Sequence, residues 1–266
     1  MNLSWRTMDR ATLDAAYSNG DPPADFETRS AAFYAAHPGA DLDVRYGPAP
    51  RERFDFFPVS GGKQSRAPTF VFVHGGYWQS CDKDLCAFVA EGPLARGMNV
   101  VVAEYTLAPT ASMTQIVSEI GRLLDVLVEQ GHTTLVLGGH SAGGHLTAMH
   151  RYHPAVKYAL PVSGLFDLEP ISAGGLNDKL GLSAEEITRF SPMRHIAHGA
   201  PMVVTVGNAE LPELIRHSYD YAHGCADAGE HVTYLPVPGA DHFSILYDLA
   251  DPDGLQLSAL AQLMQA

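Results

Sequence analysis

One stretch limits what this chain can fold into more than any other: Leu135-Val136-Leu137-Gly138-Gly139-His140-Ser141-Ala142-Gly143-Gly144-His145-Leu146. An apolar run of strand type enters it, small residues fill its centre, and a pattern of helix type leaves it. Within it, Gly139-His140-Ser141-Ala142-Gly143 fits G-x-S-x-G. In that motif a serine sits on a sharp strand-to-helix reversal, with its hydroxyl raised above a sheet. The glycines two before and two after the serine are needed because the reversal leaves no room for a Cβ. A plain Gly-rich loop at a strand end would use the same small residues. The strand before and the helix after distinguish the two readings and single out Ser141 as a nucleophile.

The flanking sequence supplies the sheet. Thr69–Val73, Asn99–Ala103, Leu135–Leu137, Tyr158–Val162, Met202–Val206 and His231–Leu235 read as strands, most of them continuously apolar. Helices are expected at Lys83–Arg96, Thr114–Glu129, Glu213–Ala226 and Leu255–Met264, with Gly97 and Gly131 closing the first two. Apolar strands separated by helices specify an α/β fold, a mostly parallel sheet flanked by helices on both faces. Arg53–Val59 alternates like an early strand, and Pro58 suits an edge position.

Residues 1–50 form a helical and irregular lead-in, with short helices near Leu13–Tyr17 and Thr28–Tyr34. Residues 164–200 are the one long excursion between strands, with a helix start at Ser183-Ala184-Glu185-Glu186, and are expected to act as a small cap. The whole, 1–266, reads as a single domain, a size that can bury a large core.

The formal net charge of -13 argues against nucleic acid or an anionic membrane surface as the main partner. No apolar core of a secretory signal follows Met1, and no run of about 18 apolar residues could span a membrane. The three cysteines, Cys81, Cys86 and Cys225, lack C-x-x-C spacing and read as small buried hydrophobes, reduced in a cytoplasm. His140, His145 and His150 are five apart, which turns successive side chains by about 140° around a helix. They cannot share a metal, and no phosphate or dinucleotide loop is present, so neither metal nor cofactor is expected.

A serine hydroxyl needs a base in contact and a third group to orient that base. His242, in Pro238-Gly239-Ala240-Asp241-His242-Phe243, follows the last strand and opens at the same sheet edge as Ser141. Glu210, on the loop after Val206, is the orienting acid, with Asp167 as the alternative. Glu213 belongs to the first turn of the following helix and Asp241 to a turn. Oxyanion donors are expected from the amide of Ala142 and from His74-Gly75-Gly76-Tyr77-Trp78, by position Gly76 and Tyr77. His74 reads as a brace for that loop, and Trp78 and Tyr77 as candidates to line a substrate pocket.

These residues resemble a known group. His74-Gly75-Gly76-Tyr77-Trp78 is similar to the HGGxW signature of the kynurenine formamidase (arylformamidase) branch of the α/β-hydrolase superfamily. Tyr105-Thr106-Leu107-Ala108-Pro109 resembles the Y-x-L-A-P stretch shared with hormone-sensitive-lipase-like esterases, and Ser163–Pro170 with Asn177–Leu182 resembles the segment that follows in that branch. The resemblance implies an α/β-hydrolase fold and a cofactor-free serine hydrolase. Its substrate would be a small molecule, a formamide or ester on an aromatic scaffold, with N-formylkynurenine as the type. Matched by position, its triad is Ser141, Glu210 and His242, although Asp is commoner than Glu at the acid position. A short-chain carboxylesterase or carbamate hydrolase is the alternative within hydrolases, and a non-catalytic binding protein the alternative outside them. A homodimer is left open.

Overall fold

The computed structural model describes residues 4–59 and 67–265. Met1–Leu3, the head of the expected lead-in, and Ala266 lie outside the described residues. The strands are β1 Asp41–Arg45, β2 Arg53–Phe57, β3 Thr69–Val73, β4 Asn99–Ala103, β5 Leu135–His140, β6 Val156–Val162, β7 Met202–Gly207 and β8 Val232–Val237. They form one sheet in the order β1-β2-β4-β3-β5-β6-β7-β8. β3 to β8 run parallel, and β1 and β2 add an antiparallel edge.

Helices before and among the first strands are α1 Arg10–Ala16, α2 Asp25–Ala36, α3 Glu91–Ala95 and α4 Met113–Glu129. α5 Ala142–His150 follows β5, and α6 Glu169–Ala173, α7 Asn177–Leu180 and α8 Ala184–Arg189 lie between β6 and β7. α9 Pro212–Asp227, α10 Ile245–Ala250 and α11 Leu255–Leu263 complete the chain.

The apolar strands divide their side chains between two cores, because alternate residues face opposite sides of a sheet. Val71 and Val73 of β3, Val101 and Ala103 of β4, and Leu135 and Leu137 of β5 pack with the buried stripe of α4. Phe70, Phe72, Val100, Val102 and Val136 face the other way, against α2, α10 and α11. With both faces covered, the central strands are largely apolar, and β3 and β4 are buried throughout.

The order places the site. From β3 the chain moves outward to β4, then returns across β3 to β5 and continues the opposite way. Ligands in open α/β sheets bind at such a reversal, beyond the strand C-terminal ends. The loops that leave there are 74–81 from β3 and the Ser141 turn from β5. Gly143 makes their closeness attainable, since a Cβ on it would sit 1.9 Å from the carbonyl oxygen of Val73.

Several elements depart from the sequence reading. The expected helix Lys83–Arg96 is a 3-10 turn, Ala87–Ala90, followed by the five-residue α3. Pro93 has no N–H to give and is tolerated only in a helix's first turn, so a regular helix cannot start much earlier. Lys83 is instead held by Asp55 and Asp84, at 2.8 and 2.7 Å. β2 is not an edge: it lies between β4 and the unforeseen β1, whose Asp41-Leu42-Asp43-Val44-Arg45 has the mostly exposed, polar pattern of an edge. Pro58 falls just past β2 and has no ladder bond to lose. α10 was also unforeseen. At the excursion, Ser183 and Glu186 form the full capping box that starts α8.

Gly143→Ala should destabilise the protein by about 3 kcal/mol or prevent folding, because the added methyl meets backbone rather than a movable side chain. Urea unfolding measures this, and a loss below about 0.5 kcal/mol would contradict the close contact.

Candidate active site

Ser141 occupies the turn between β5 and α5 with φ 56° and ψ −115°, a left-handed backbone that an L-residue adopts only under tertiary constraint. Its amide donates to Val162 O at 2.8 Å, which anchors the turn to β6. The side chain is buried, and its Oγ has no hydrogen-bond partner among the described residues. Ala142, next in sequence, is the first residue of α5, where a helix leaves its amides unpaired and its positive end exposed.

Glu210 and His242 come from the loops after β7 and β8. Those loops are joined by Asn208 N to Val237 O at 3.0 Å, Ala209 N to Ala240 O at 2.9 Å, and Gly239 N to Asn208 Oδ1 at 2.7 Å. Held this way, His242 Nδ1 donates to Glu210 Oε1. The second carboxylate oxygen, Oε2, accepts from Ser163 Oγ at 2.6 Å. Both residues are nearly buried, 7 % exposed each. With Nδ1 committed as a donor, Nε2 is the basic nitrogen.

Asp167, the alternative acid, is turned elsewhere: its Oδ1 accepts from Glu169 N at 3.1 Å and faces Arg194 at 3.6 Å. Asp241 accepts from Phe243 N, Ser244 N and Ser244 Oγ, as a turn residue does. Glu213 lies in the first turn of α9 and pairs with Arg216 at 2.7 Å.

His140 does more than fill the variable position of its motif. Its Nε2 donates to the carbonyl of His242 at 2.7 Å, with the two rings 4.5 Å apart. Burial first, and the neighbouring His242 second, keep His140 well below the usual histidine range, so it stays neutral and serves as a fixed donor. His145 donates to Phe190 O and His150 to Val117 O, so the three histidines of this stretch point to three different partners.

The loop after β3 lies against the serine turn: a Cβ on Gly75 would come within 3.1 Å of Ser141 Cβ. Gly76 has φ 93°, and a Cβ there would meet Ser80 O at 2.2 Å. Tyr77 and Trp78 follow with φ of 49° and 58°, while Gln79 N and Ser80 N close the loop on Gly76 O at 2.9 and 3.0 Å. Among the described residues no backbone carbonyl accepts from the amides of Gly76 or Tyr77.

The loop is braced from below by a network the sequence reading missed apart from His74. His74 Nδ1 faces Gly75 O at 2.9 Å and Nε2 faces Glu104 Oε1 at 3.0 Å. Two acceptors require two N–H groups, so the ring is an imidazolium. Burial opposes that charge, but the neighbouring Cys81 thiol and the Glu104 carboxylate win and carry its pKa up to about 10. Glu104 also accepts from Arg51 Nη2 at 2.5 Å, Lys83 N at 3.1 Å and Tyr105 N at 3.1 Å. Glu104 immediately precedes the Tyr105–Pro109 stretch at the end of β4, and that position was the available signal.

Ser141 and His242 open onto a cavity of about 690 Å³. Its walls include Tyr17, Phe26, Tyr77, Leu176, Phe243 and Leu246. Two expectations change here. Trp78 does not line the cavity: it is fully buried, edge-on to His145 at 5.0 Å. The cover is also composite. Of the excursion, Gly175 and Leu176 reach the cavity, whereas residues 17–22 of the lead-in form a whole wall. Tyr77 joins that wall to the loop, donating from its hydroxyl to Tyr17 O at 2.5 Å and accepting from Asn19 Nδ2 at 3.2 Å.

Glu104→Gln should destabilise the protein by about 3 kcal/mol at neutral pH by unpairing the buried cation of His74. Burial would raise the Glu104 carboxyl, but the hydrogen bond and charge of His74, then Arg51, hold it below the ordinary 4.5. A depressed acid stabilises the fold above its unfolded value, and that stabilisation is lost as pH falls through the folded one. The gap between wild type and variant in urea unfolding should therefore narrow below pH 4.5. A gap that is constant with pH would contradict the network.

The chain matches the BD-FAE family model over residues 55–162. It is 30% identical to the kynurenine formamidase of Danio rerio, with 98% of this chain and 98% of that protein covered. A crystal structure named as a thioesterase, from Silicibacter sp. TM1040, is 28% identical and superposes with a TM-score of 0.84 over 96% of this chain and 99% of its own. Esterase LipW of Mycobacterium marinum shares the fold at 17% identity, with a TM-score of 0.74 over 100% of this chain and 92% of its own. The β3 loop, the serine turn and the paired Glu210 and His242 thus sit on a shared scaffold, and the chain belongs to the kynurenine formamidase family of α/β-hydrolase enzymes.

Proposed function

We propose that this hydrolase cleaves an aryl formamide of the N-formylkynurenine type through a formyl-enzyme on Ser141. The observation that carries the reading is the cavity at Ser141 and His242, whose aromatic walls Tyr17, Phe26, Tyr77 and Phe243 suit an aryl leaving group. Its volume of about 690 Å³ far exceeds what a formyl group needs, so the recognised part of the substrate is the aryl amine. Among the described residues no Lys or Arg lines the cavity, which disfavours a strongly anionic substrate.

The reaction follows from the placement of Ser141 and His242 on one cavity and from the Glu210 bond that orients the histidine. Ser141 Oγ attacks the formyl carbon while its proton passes to His242 Nε2, and Glu210 stabilises the imidazolium through Nδ1. The oxyanion is held by the amides of Gly76, Tyr77 and Ala142. His242 then gives the proton to the departing aryl amine. Water, deprotonated by the same nitrogen, releases formate and restores the serine. Ser163 and His140 position Glu210 and His242 through their hydrogen bonds. Among the described residues no helix is long and apolar enough to cross a membrane. Three free thiols accord with a reducing cytoplasm as the place of action.

Comparison of kcat/KM on N-formylkynurenine with that on p-nitrophenyl acetate and butyrate tests the substrate class. The formamide should be preferred by roughly tenfold or more, the discrimination that well-placed pocket contacts supply. Brisk ester cleavage without formamide turnover would make the protein a short-chain carboxylesterase. Ser141→Ala should lower kcat by about 10⁵-fold or more and abolish labelling by a fluorophosphonate. Glu210→Ala should lower kcat by roughly 10³-fold with KM little changed. Near wild-type turnover in either variant would remove that residue from the mechanism.

A further inference from the structure

Two groups on the cavity wall take no part in this mechanism. Cys81 and Cys86 both line the cavity beside Ser141 and His242, and their Sγ atoms are 3.9 Å apart. Cys81 is half-buried and Cys86 buried, whereas Cys225 lies with Tyr221 in a separate core cluster. Cys81 ends the loop that carries Gly76 and Tyr77. It has φ 73°, its carbonyl accepts from Arg51 at 2.7 Å, and its Cβ lies 2.9 Å from where a Cβ on Gly76 would be. The thiol that faces the substrate space is thus packed directly behind an expected oxyanion donor.

We propose that Cys81 and Cys86 form a peroxide-sensitive dithiol: Cys81 is oxidised first, Cys86 resolves it as a disulfide, and hydrolysis is reversibly switched off. The Cys81 thiolate attacks one oxygen of a peroxide, the O–O bond breaks, and the other oxygen leaves as hydroxide, becoming water on taking a proton. Cys81 is then a sulfenic acid. The Cys86 sulfur attacks Cys81 Sγ, the S–S bond forms, and the hydroxyl departs as water with the Cys86 proton. Two thiols have given two electrons to the peroxide.

The surroundings favour this order. A hydrogen bond from the Cys86 thiol, then the His74 cation, holds the Cys81 thiol below the usual cysteine range against the effect of burial. The same hydrogen bond, with burial, raises Cys86, so it waits as the protonated partner. Drawing two sulfurs from 3.9 Å to a bond of about 2 Å must displace Cys81 or Cys86. Cys86 is fixed in the core that holds Phe88 and Val89, so the movement falls on Cys81 and passes to Gly76 and Tyr77.

The test treats reduced, full-length protein with hydrogen peroxide. The readouts are peptide mass spectrometry and the rate of Ser141 labelling by a fluorophosphonate, neither of which depends on the natural substrate. The wild type should yield a disulfide joining the tryptic peptides on either side of Lys83. Its labelling should slow by about tenfold or more, as a displaced oxyanion donor requires, and recover with dithiothreitol. Cys81→Ser, compared with its own untreated rate, should be insensitive to peroxide. Cys86→Ser should instead accumulate a sulfenic acid on Cys81, trapped by dimedone. The proposal is overturned if the wild type forms no such link, if the link forms without slowing labelling, if Cys81→Ser is as sensitive as wild type, or if Cys86→Ser shows no oxidation at Cys81.

Discussion

The approach of α5 to the end of β3 is the contact on which the site depends. Gly143 lets the helix backbone lie over the Val73 carbonyl, and with any side chain there the two would have to separate. Because β3 and β5 are neighbours in the sheet, that contact sets the serine turn beside the loop of Gly75 and Gly76. The strained backbone at Ser141 is then held from three sides: by the α5 contact, by Val162 O beneath it, and by the β3 loop beside it. Such a turn is affordable only in a surround this rigid.

Around that contact the molecule sorts its charges by task. The Glu104, His74 and Arg51 network lies under the β3 loop, bonds backbone and side chain alike, and fixes where the Gly76 and Tyr77 amides face. The Glu210 and His242 pair comes from the loops after β7 and β8 and meets Ser141 at the cavity. It is steadied by two uncharged donors, Ser163 on the acid and His140 on the carbonyl of the base. One imidazole is kept charged as a brace, while another is kept neutral by burial as a fixed donor. The difference is what each ring nitrogen faces, two acceptors for His74 and a single carbonyl at Nε2 for His140.

The parallel core was legible in the sequence because its strands are covered on both faces and are therefore largely apolar runs. The serine turn was legible because its requirement for small residues is local. His242 and Glu210 could be placed by their position after successive strands, since loops after parallel strands open at one edge. What failed had non-local causes. Trp78 looks like a pocket residue by proximity to Gly76, but two left-handed residues in succession turn its ring into the core against His145. Glu104 and His140 read as ordinary positions, because their partners are 30 and 102 residues away in sequence. The lead-in gave no hint that Tyr17 and Asn19 would wall the cavity, since that placement rests on bonds to Tyr77 some 60 residues on. The helix expected at Lys83–Arg96 failed for a local reason, Pro93, which lacks the N–H that a helix interior needs.

The central claim is that one serine, raised at the β5–α5 turn, meets oxyanion donors from both its own helix and the β3 loop. The most direct test is a crystal structure of the protein after reaction with a phosphonylating inhibitor, whose tetrahedral adduct stands in for the acyl-transfer intermediate. The account predicts the adduct on Ser141 Oγ, with its phosphoryl oxygen about 3 Å from the amides of Ala142 and of Gly76 or Tyr77. An adduct on another residue, or a phosphoryl oxygen turned away from the β3 loop, would contradict it.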